Sequence, residues 1–368
     1  MPTRRARWVS GGAALACLAG ALTSSAAVAS AAPAGTTSIT TCSSPSQTTH
    51  PLTVMVDGQP ATGLYVLPSG SPRGIVAVGH GHTGDAQSVA STAEQIASAD
   101  DVITVAMNYR GTNLSTLFGW RVIEGAQDTV AATQLFDRAC PGSDGFTNAV
   151  VGISMGGHMS GLAVSSEATR HDGAPLYDYW VDVSGVTNVP EIYADARAIS
   201  LVPLPSVASV GTTAMTEMQQ EFGGTPLSNP LTYMADSPVL RAGAMRTSGL
   251  KGVIIAHGVV DGEVTSDMSD QMVASLAANG IPVALYTSVF KAPGTSAGLT
   301  LDGYLSALDP SYTSPFAGHV SDVVLSSALG ALHSVYEGGF PPGGTSVTLS
   351  DGHLGAFPVV TLPRLPLP

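Results

Sequence analysis

The sequence is short of charge, of basic residues above all, and of cysteine, and each shortage narrows what the protein can be. Charged residues make up 11% of the 368, with 14 Lys and Arg against 27 Asp and Glu, for a net charge of −13. No basic stripe exists to neutralise a row of phosphates, which argues against nucleic acid as a partner. With so few charges, the surface must be covered by Ser, Thr, Gly and Asn. There is no H-E-x-x-H and no cysteine cluster, so the common zinc arrangements are missing.

Only three cysteines occur, and their meaning depends on the N-terminus. Arg4, Arg5 and Arg7 precede an apolar run from Val9 to Leu22 and a small-residue segment from Ser24 to Ala32. That is the order of a secretory signal peptide, with cleavage after Ala29 or Ala31. The run is short against the roughly 20 apolar residues of a membrane span. Residues 1–31 are therefore expected to be removed, leaving 32–368 as a secreted chain with no integral membrane segment. The Arg4-Arg5 pair keeps twin-arginine export open. Cys17 leaves with the signal. Cys42 and Cys140 remain, and two cysteines in an oxidising compartment most simply pair, two free buried thiols being the alternative.

The stretch that organises the rest is Asn148 to Gly161, NAVVGISMGGHMSG. Ala149, Val150, Val151 and Ile153 form the short apolar run of a buried parallel strand. Gly152-Ile153-Ser154-Met155-Gly156 then fits the G-x-S-x-G nucleophile elbow, in which glycines let strand and helix crowd together and leave the serine in a strained backbone conformation. Upstream, the strand Ile75 to Val78 ends in His80-Gly81-His82-Thr83-Gly84 before a helix over 86–97. A glycine-containing bend at that place supplies the second backbone amide of an oxyanion hole in elbow-type hydrolases. His82 is the expected donor, with Met155 the other. A metal reading of His80-x-His82 as H-x-H-x-D-H fails, because Gly84 stands where the aspartate is required and Asp85 where the next histidine should be.

A hairpin over 51–69, a strand at Val102–Met107, a long helix over 120–138 and a strand at Tyr179–Val183 complete an order of alternating strands and helices, which implies a parallel sheet wrapped on both faces. From about Thr187 to Gly249 the rhythm lapses among Pro190, Pro203, Pro205, Pro226, Pro230 and Pro238, as an inserted cap over the C-terminal edge of the sheet would require. Met215, Met218, Met234 and Met245 in it could line an acyl pocket or be plain core.

The pattern resumes at GVIIAHG, which runs into His257-Gly258-Val259-Val260-Asp261-Gly262-Glu263-Val264. With HGHTG, GISMGG and HGVVDGEV in this order, the chain from about Ile75 to His333 resembles the α/β-hydrolase superfamily, in its prolyl-oligopeptidase-like and secreted-esterase branches. The resemblance implies an α/β-hydrolase fold, a mostly parallel central sheet with helices on both faces and the cap inserted at about 187–249. It also implies that Asp261 orients the catalytic histidine, Asp182 being an alternate acid. The histidine is expected in the loop ahead of the last long helix, where His319 stands after an unusually long connection from Lys291 to Gly318. His353, beside Asp351, is the rival. The remaining histidines, His50, His158, His171, His257 and His333, read as structural.

Together these features imply acyl transfer with Ser154 as nucleophile, His319 as general base and then acid, and neither metal nor organic cofactor. The expected substrate is a small neutral ester or a polyester, since no charged specificity cluster is visible. An exported peptidase or polyester depolymerase is the nearest alternative, and a non-catalytic envelope-binding protein on a hydrolase scaffold the one from another class.

Overall fold

The computed structural model describes residues 35–201, 203, 205–259, 261, 263–288, 319, 320 and 322–348. The chain opens with the hairpin β1 (His50–Val56) and β2 (Gln59–Val66), joined through Asp57 and Gly58, which both take positive φ as a two-residue hairpin turn requires. Seven further strands follow: β3 (Ile75–Gly79), β4 (Ile103–Met107), β5 (Ala149–Ile153), β6 (Tyr179–Val183), β7 (Gly252–Gly258), β8 (Val283–Ser288) and β9 (Gly344–Thr348). They form one open sheet in the order β1-β2-β4-β3-β5-β6-β7-β8-β9. β2 pairs antiparallel with β1 and with β4, and every other pairing is parallel.

The apolar runs are explained by what covers each face. Alternate residues of one strand enter different cores: Ile75 and Ala77 of β3, Val150 of β5 and Val253 and Ile255 of β7 face one way, whereas Val76, Val78, Ala149, Val151, Ile254 and Ala256 face the other. The first layer is closed by α2 (Val122–Ala139), α3 (Met155–Val164) and α8 (Ser266–Ala278), the second by α1 (Ala90–Asp100) and α9 (Asp322–Glu337). A strand buried on both sides has no polar face to show, so periodicity two disappears from its sequence.

Residues 187–249 are helical throughout much of their length: α4 (Val189–Ser200), α5 (Pro205–Phe222), α6 (Pro230–Ala235) and α7 (Ala242–Thr247). The prolines that interrupt the pattern open helices more than they break them. Pro190, Pro205 and Pro230 all lie in first turns, where the missing N–H is not needed. Met218 and Met245 are fully buried in the core, while Met234 is half exposed, so the cap methionines are packing residues for the most part. Cys42 and Cys140 are joined in a disulfide that ties the N-terminal arm to the end of α2. No helix among the described residues is long and apolar enough to cross a membrane.

Candidate active site

In the sheet order, β4 follows β3 on one side and β5 lies on the other, so the chain reverses its winding direction at β3 and β5. Loops leaving neighbouring parallel strands in opposite directions open a crevice at their C-terminal ends. HGHTG leaves β3 there and Ser154 leaves β5. Ser154 stands at φ 57° and ψ −122°, and α3 begins at the next residue. The flanking glycines serve close approach: a Cβ on Gly152 would fall 2.1 Å from Ser160 Oγ and 2.3 Å from the Gly156 carbonyl, and one on Gly156 would fall 2.4 Å from the Gly79 carbonyl. Thr83, Tyr109 and Ser184, just beyond β3, β4 and β6, also take positive φ, as does Val320 beside His319. Such conformations cost energy for residues with a side chain and collect where a site is held in one geometry.

His319 lies just ahead of α9 and between the two other residues the sequence singled out. Its Nδ1 is 2.7 Å from Asp261 Oδ2 and its Nε2 is 2.8 Å from Ser154 Oγ. An ionised carboxylate only accepts, so Nδ1 carries the proton and donates to Asp261, which leaves Nε2 to accept from the serine hydroxyl. Asp261 is fully occupied. Oδ1 accepts the backbone N–H of Glu263 at 2.9 Å and of Val264 at 3.1 Å, while Oδ2 faces His319 and, at 3.3 Å, His257 Nε2. Burial pushes its carboxyl up, but the hydrogen bonds of His257 and His319 outweigh this and hold it below the ordinary carboxylate range. His319 experiences the converse: burial lowers it, and the hydrogen bond and charge of Asp261 with the charge of Glu263 bring it above the usual histidine value.

The loop after β3 lies against the serine, since a Cβ on Gly81 would stand 3.3 Å from Ser154 Cβ. Met155 is the first residue of α3, so its N–H belongs to the amides that a helix leaves without an internal acceptor. The two histidine rings of the loop are committed elsewhere. His80 donates from Nδ1 to the Gly81 carbonyl at 2.9 Å, stacks on Tyr109 at 4.0 Å, and is held down to about 4 by burial. His82 donates from Nε2 to Glu217 Oε2 at 2.5 Å.

Of the two alternates, Asp182 is present but apart from the histidine that faces the serine. It sits inside β6 in register with Gly152 and Ile255, and burial pushes its carboxyl up to about 7. His353 lies outside the described residues. His257 is more than a structural histidine, because its Nε2–H serves the Val264 carbonyl at 2.9 Å as well as Asp261, and its Nδ1 accepts from Ser269 Oγ at 2.6 Å. Sequence reasoning missed two glutamates. Glu263, two residues past Asp261, brings Oε2 to 3.7 Å from His319 Nε2, and Glu217 reaches the site from the cap. The absence of a charged cluster in the linear sequence therefore does not carry over to the folded site. Glu263 was legible as a neighbour of the acid; Glu217, 135 residues from His82, had no local signal.

This strand order with a serine elbow after β5 is the α/β-hydrolase fold, and solved structures share it. The chain is similar to an acylaminoacyl peptidase from Pyrococcus horikoshii at 19% identity and TM-score 0.52, covering 80% of this chain and 43% of that one. It is also similar to a thermostable carboxylesterase cloned from a metagenomic library, at 16% identity and TM-score 0.52 over 80% of this chain and 90% of the other. A puromycin-hydrolyzing peptidase of Mycobacterium tuberculosis matches at 16% identity and TM-score 0.51, over 81% of this chain and 41% of its own length. The chain thus spans less than half of either peptidase and nearly all of the esterase. No protein-family model matches the sequence, and no curated protein does.

Proposed function

We propose that the protein is a secreted serine hydrolase that cleaves carboxylic esters through an acyl-enzyme. The observation that carries this reading is the unbroken line from Ser154 Oγ to His319 Nε2 at 2.8 Å and from His319 Nδ1 to Asp261 Oδ2 at 2.7 Å. Ser154 Oγ attacks the ester carbonyl carbon as its proton passes to His319 Nε2, and Asp261 stabilises the imidazolium that forms. The backbone amides of His82 and Met155 receive the developing oxyanion, each such donor being worth about 3 kcal/mol in comparable sites. His319 then gives its proton to the departing alkoxide, and the reverse sequence with water releases the acid and restores the serine. Ser154, His319 and Asp261 carry the proton transfers, and the raised basicity of His319 suits a base that must hold the serine proton.

The same fold is found in a carboxylesterase and in two peptidases, so the substrate panel must hold both esters and amides. Export is supported by the basic, apolar and small-residue order of residues 1–31 and by the Cys42–Cys140 bond, which suits an oxidising compartment. The test is a panel of p-nitrophenyl esters of increasing chain length beside aminoacyl anilides, run on protein recovered from the medium and checked for its mature N-terminus. Labelling of Ser154 by a fluorophosphonate and ester turnover are expected. Turnover of the anilides alone would make it a peptidase, and the absence of labelling would leave a binding protein.

A further inference from the structure

Glu263 has no part in the triad, yet its position is fixed by it. Its backbone N–H donates to Asp261 Oδ1 at 2.9 Å, so the triad acid itself anchors the residue. From there the carboxylate brings Oε2 to 3.7 Å from His319 Nε2, the nitrogen that faces Ser154 Oγ. That separation is too long for a hydrogen bond. The Nδ1 side of the ring is already taken by Asp261, so Glu263 does not orient the base. Its side chain is 48% exposed, whereas that of Asp261 is buried, so Glu263 is the one of the two carboxylates beside His319 that meets solvent.

The other fixed charges at this corner are carboxylates as well: Asp261 Oδ2 lies 2.7 Å from His319 Nδ1, and the His82 ring is bound to the carboxylate of Glu217. The chain as a whole carries −13, which adds a long-range field of the same sign. Nε2 is the atom that protonates the leaving oxygen, so the substrate atoms nearest to Glu263 are those of the alcohol, not those of the acyl chain.

We propose that Glu263 is a specificity-determining residue that makes the site prefer esters whose alcohol part carries a positive charge, such as a quaternary or protonated amino alcohol, over neutral esters of the same shape. The proposal rests on the serine-esterase reading above and narrows its substrate class. A cation a few ångströms from a half-exposed carboxylate is favoured about tenfold over an uncharged isostere once solvent screening is allowed for. The same negative charge also helps to hold the His319 proton, so its removal should move the acid limb of the pH profile towards lower pH.

The experiment compares kcat/KM at pH 8 for a choline ester and for the analogue in which carbon replaces the quaternary nitrogen, with native enzyme, Glu263→Gln and Glu263→Asp. In the native enzyme the cationic ester should lead by about tenfold, less at high salt, and tetramethylammonium should inhibit competitively. In Glu263→Gln the ratio should fall to about one and the acid limb should shift down, while Glu263→Asp should keep most of the preference. A native ratio near one, or a ratio unchanged in Glu263→Gln, overturns the proposal while leaving the hydrolase reading intact. Failure to hydrolyse either ester together with failure of fluorophosphonate labelling overturns the hydrolase reading, and this proposal with it. Should Glu263→Gln not fold, the salt dependence and the tetramethylammonium inhibition of the native enzyme decide the matter alone.

Discussion

Ser154 offers a way to measure the strain of the elbow separately from its chemistry. At φ 57° and ψ −122° it occupies backbone space that only glycine enters freely, and a residue with a Cβ there costs about 1–3 kcal/mol. Both Ser154→Ala and Ser154→Gly lose the hydroxyl and its bond to His319 Nε2. They differ in the Cβ alone, so the hydrogen bond cancels when the two are compared. Glycine relieves the strain but gives the unfolded chain extra freedom worth about 0.4–1 kcal/mol. The glycine variant should therefore be the more stable by about 1–2 kcal/mol. With an unfolding entropy near 2.1 cal/mol/K per residue, a chain of this length should show a Tm difference of about 1.5–3 °C. Calorimetry or guanidinium unfolding reads this, and neither variant should hydrolyse esters. A glycine variant no more stable than the alanine one would refute the idea that the strain resides at the serine.

His319→Ala should be as inactive as Ser154→Ala, with losses beyond about a thousandfold, while His353→Ala keeps most activity; the opposite result in an ester assay would move the general base to the C-terminal segment. Reduction of Cys42–Cys140, which are 98 residues apart, should destabilise the protein by up to about 4–5 kcal/mol on chain-entropy grounds. Non-reducing peptide mass spectrometry should find the two segments linked, and free thiols at both positions would remove the bond from the account. Glu217→Ala should lower kcat by about tenfold with little change in KM, since it frees the His82 loop without removing an oxyanion donor, whose full loss costs about a hundredfold or more. An unchanged kcat would show that the loop holds its place without the cap.

What could be read in the sequence was whatever rests on local chemistry. The elbow was legible because Gly152 and Gly156 are required within a few residues of Ser154 by strand and helix packing that admits no Cβ. Asp261 is legible through the resemblance that HGVVDGEV carries, and in the structure its side chain accepts the backbone N–H groups of Glu263 and Val264. His319 rested on chain order, 58 residues past Asp261, and the long connection before it kept His353 in play. The interruption at 187–249 is legible in the sequence, but its helices are not. Prolines spaced through 187–249 look like breaks in a linear reading, whereas at first-turn positions they start helices. Glu217 was hidden for a simpler reason: a glutamate on a helix face reads as solvated until the partner of that face is known.

That partner explains why the cap helix carries two glutamates four residues apart. Glu217 and Glu221 lie on the same side of α5 as Met218 and Phe222, which are buried in the core. Glu217 takes the His82 ring. Glu221 accepts the backbone N–H of Ile123 at 3.1 Å and pairs with Arg121 at 3.2 Å. Arg121, the N-cap residue of α2, makes no side-chain cap of its own, so a carboxylate from the cap supplies the acceptor that the start of that helix needs. Burial pushes Glu221 up to about 7, so the anion is held there against a desolvation cost that Arg121 and the Ile123 amide only partly offset. One cap helix is thereby tied both to the loop beside the nucleophile and to the start of α2, and Trp120 joins the two by packing against the His82 ring at 5.7 Å while donating to His158 Nδ1. Side chains of α5 and of the loop that carries His82 hold each other, so a change in the place of the cap helix is felt at the loop beside Ser154.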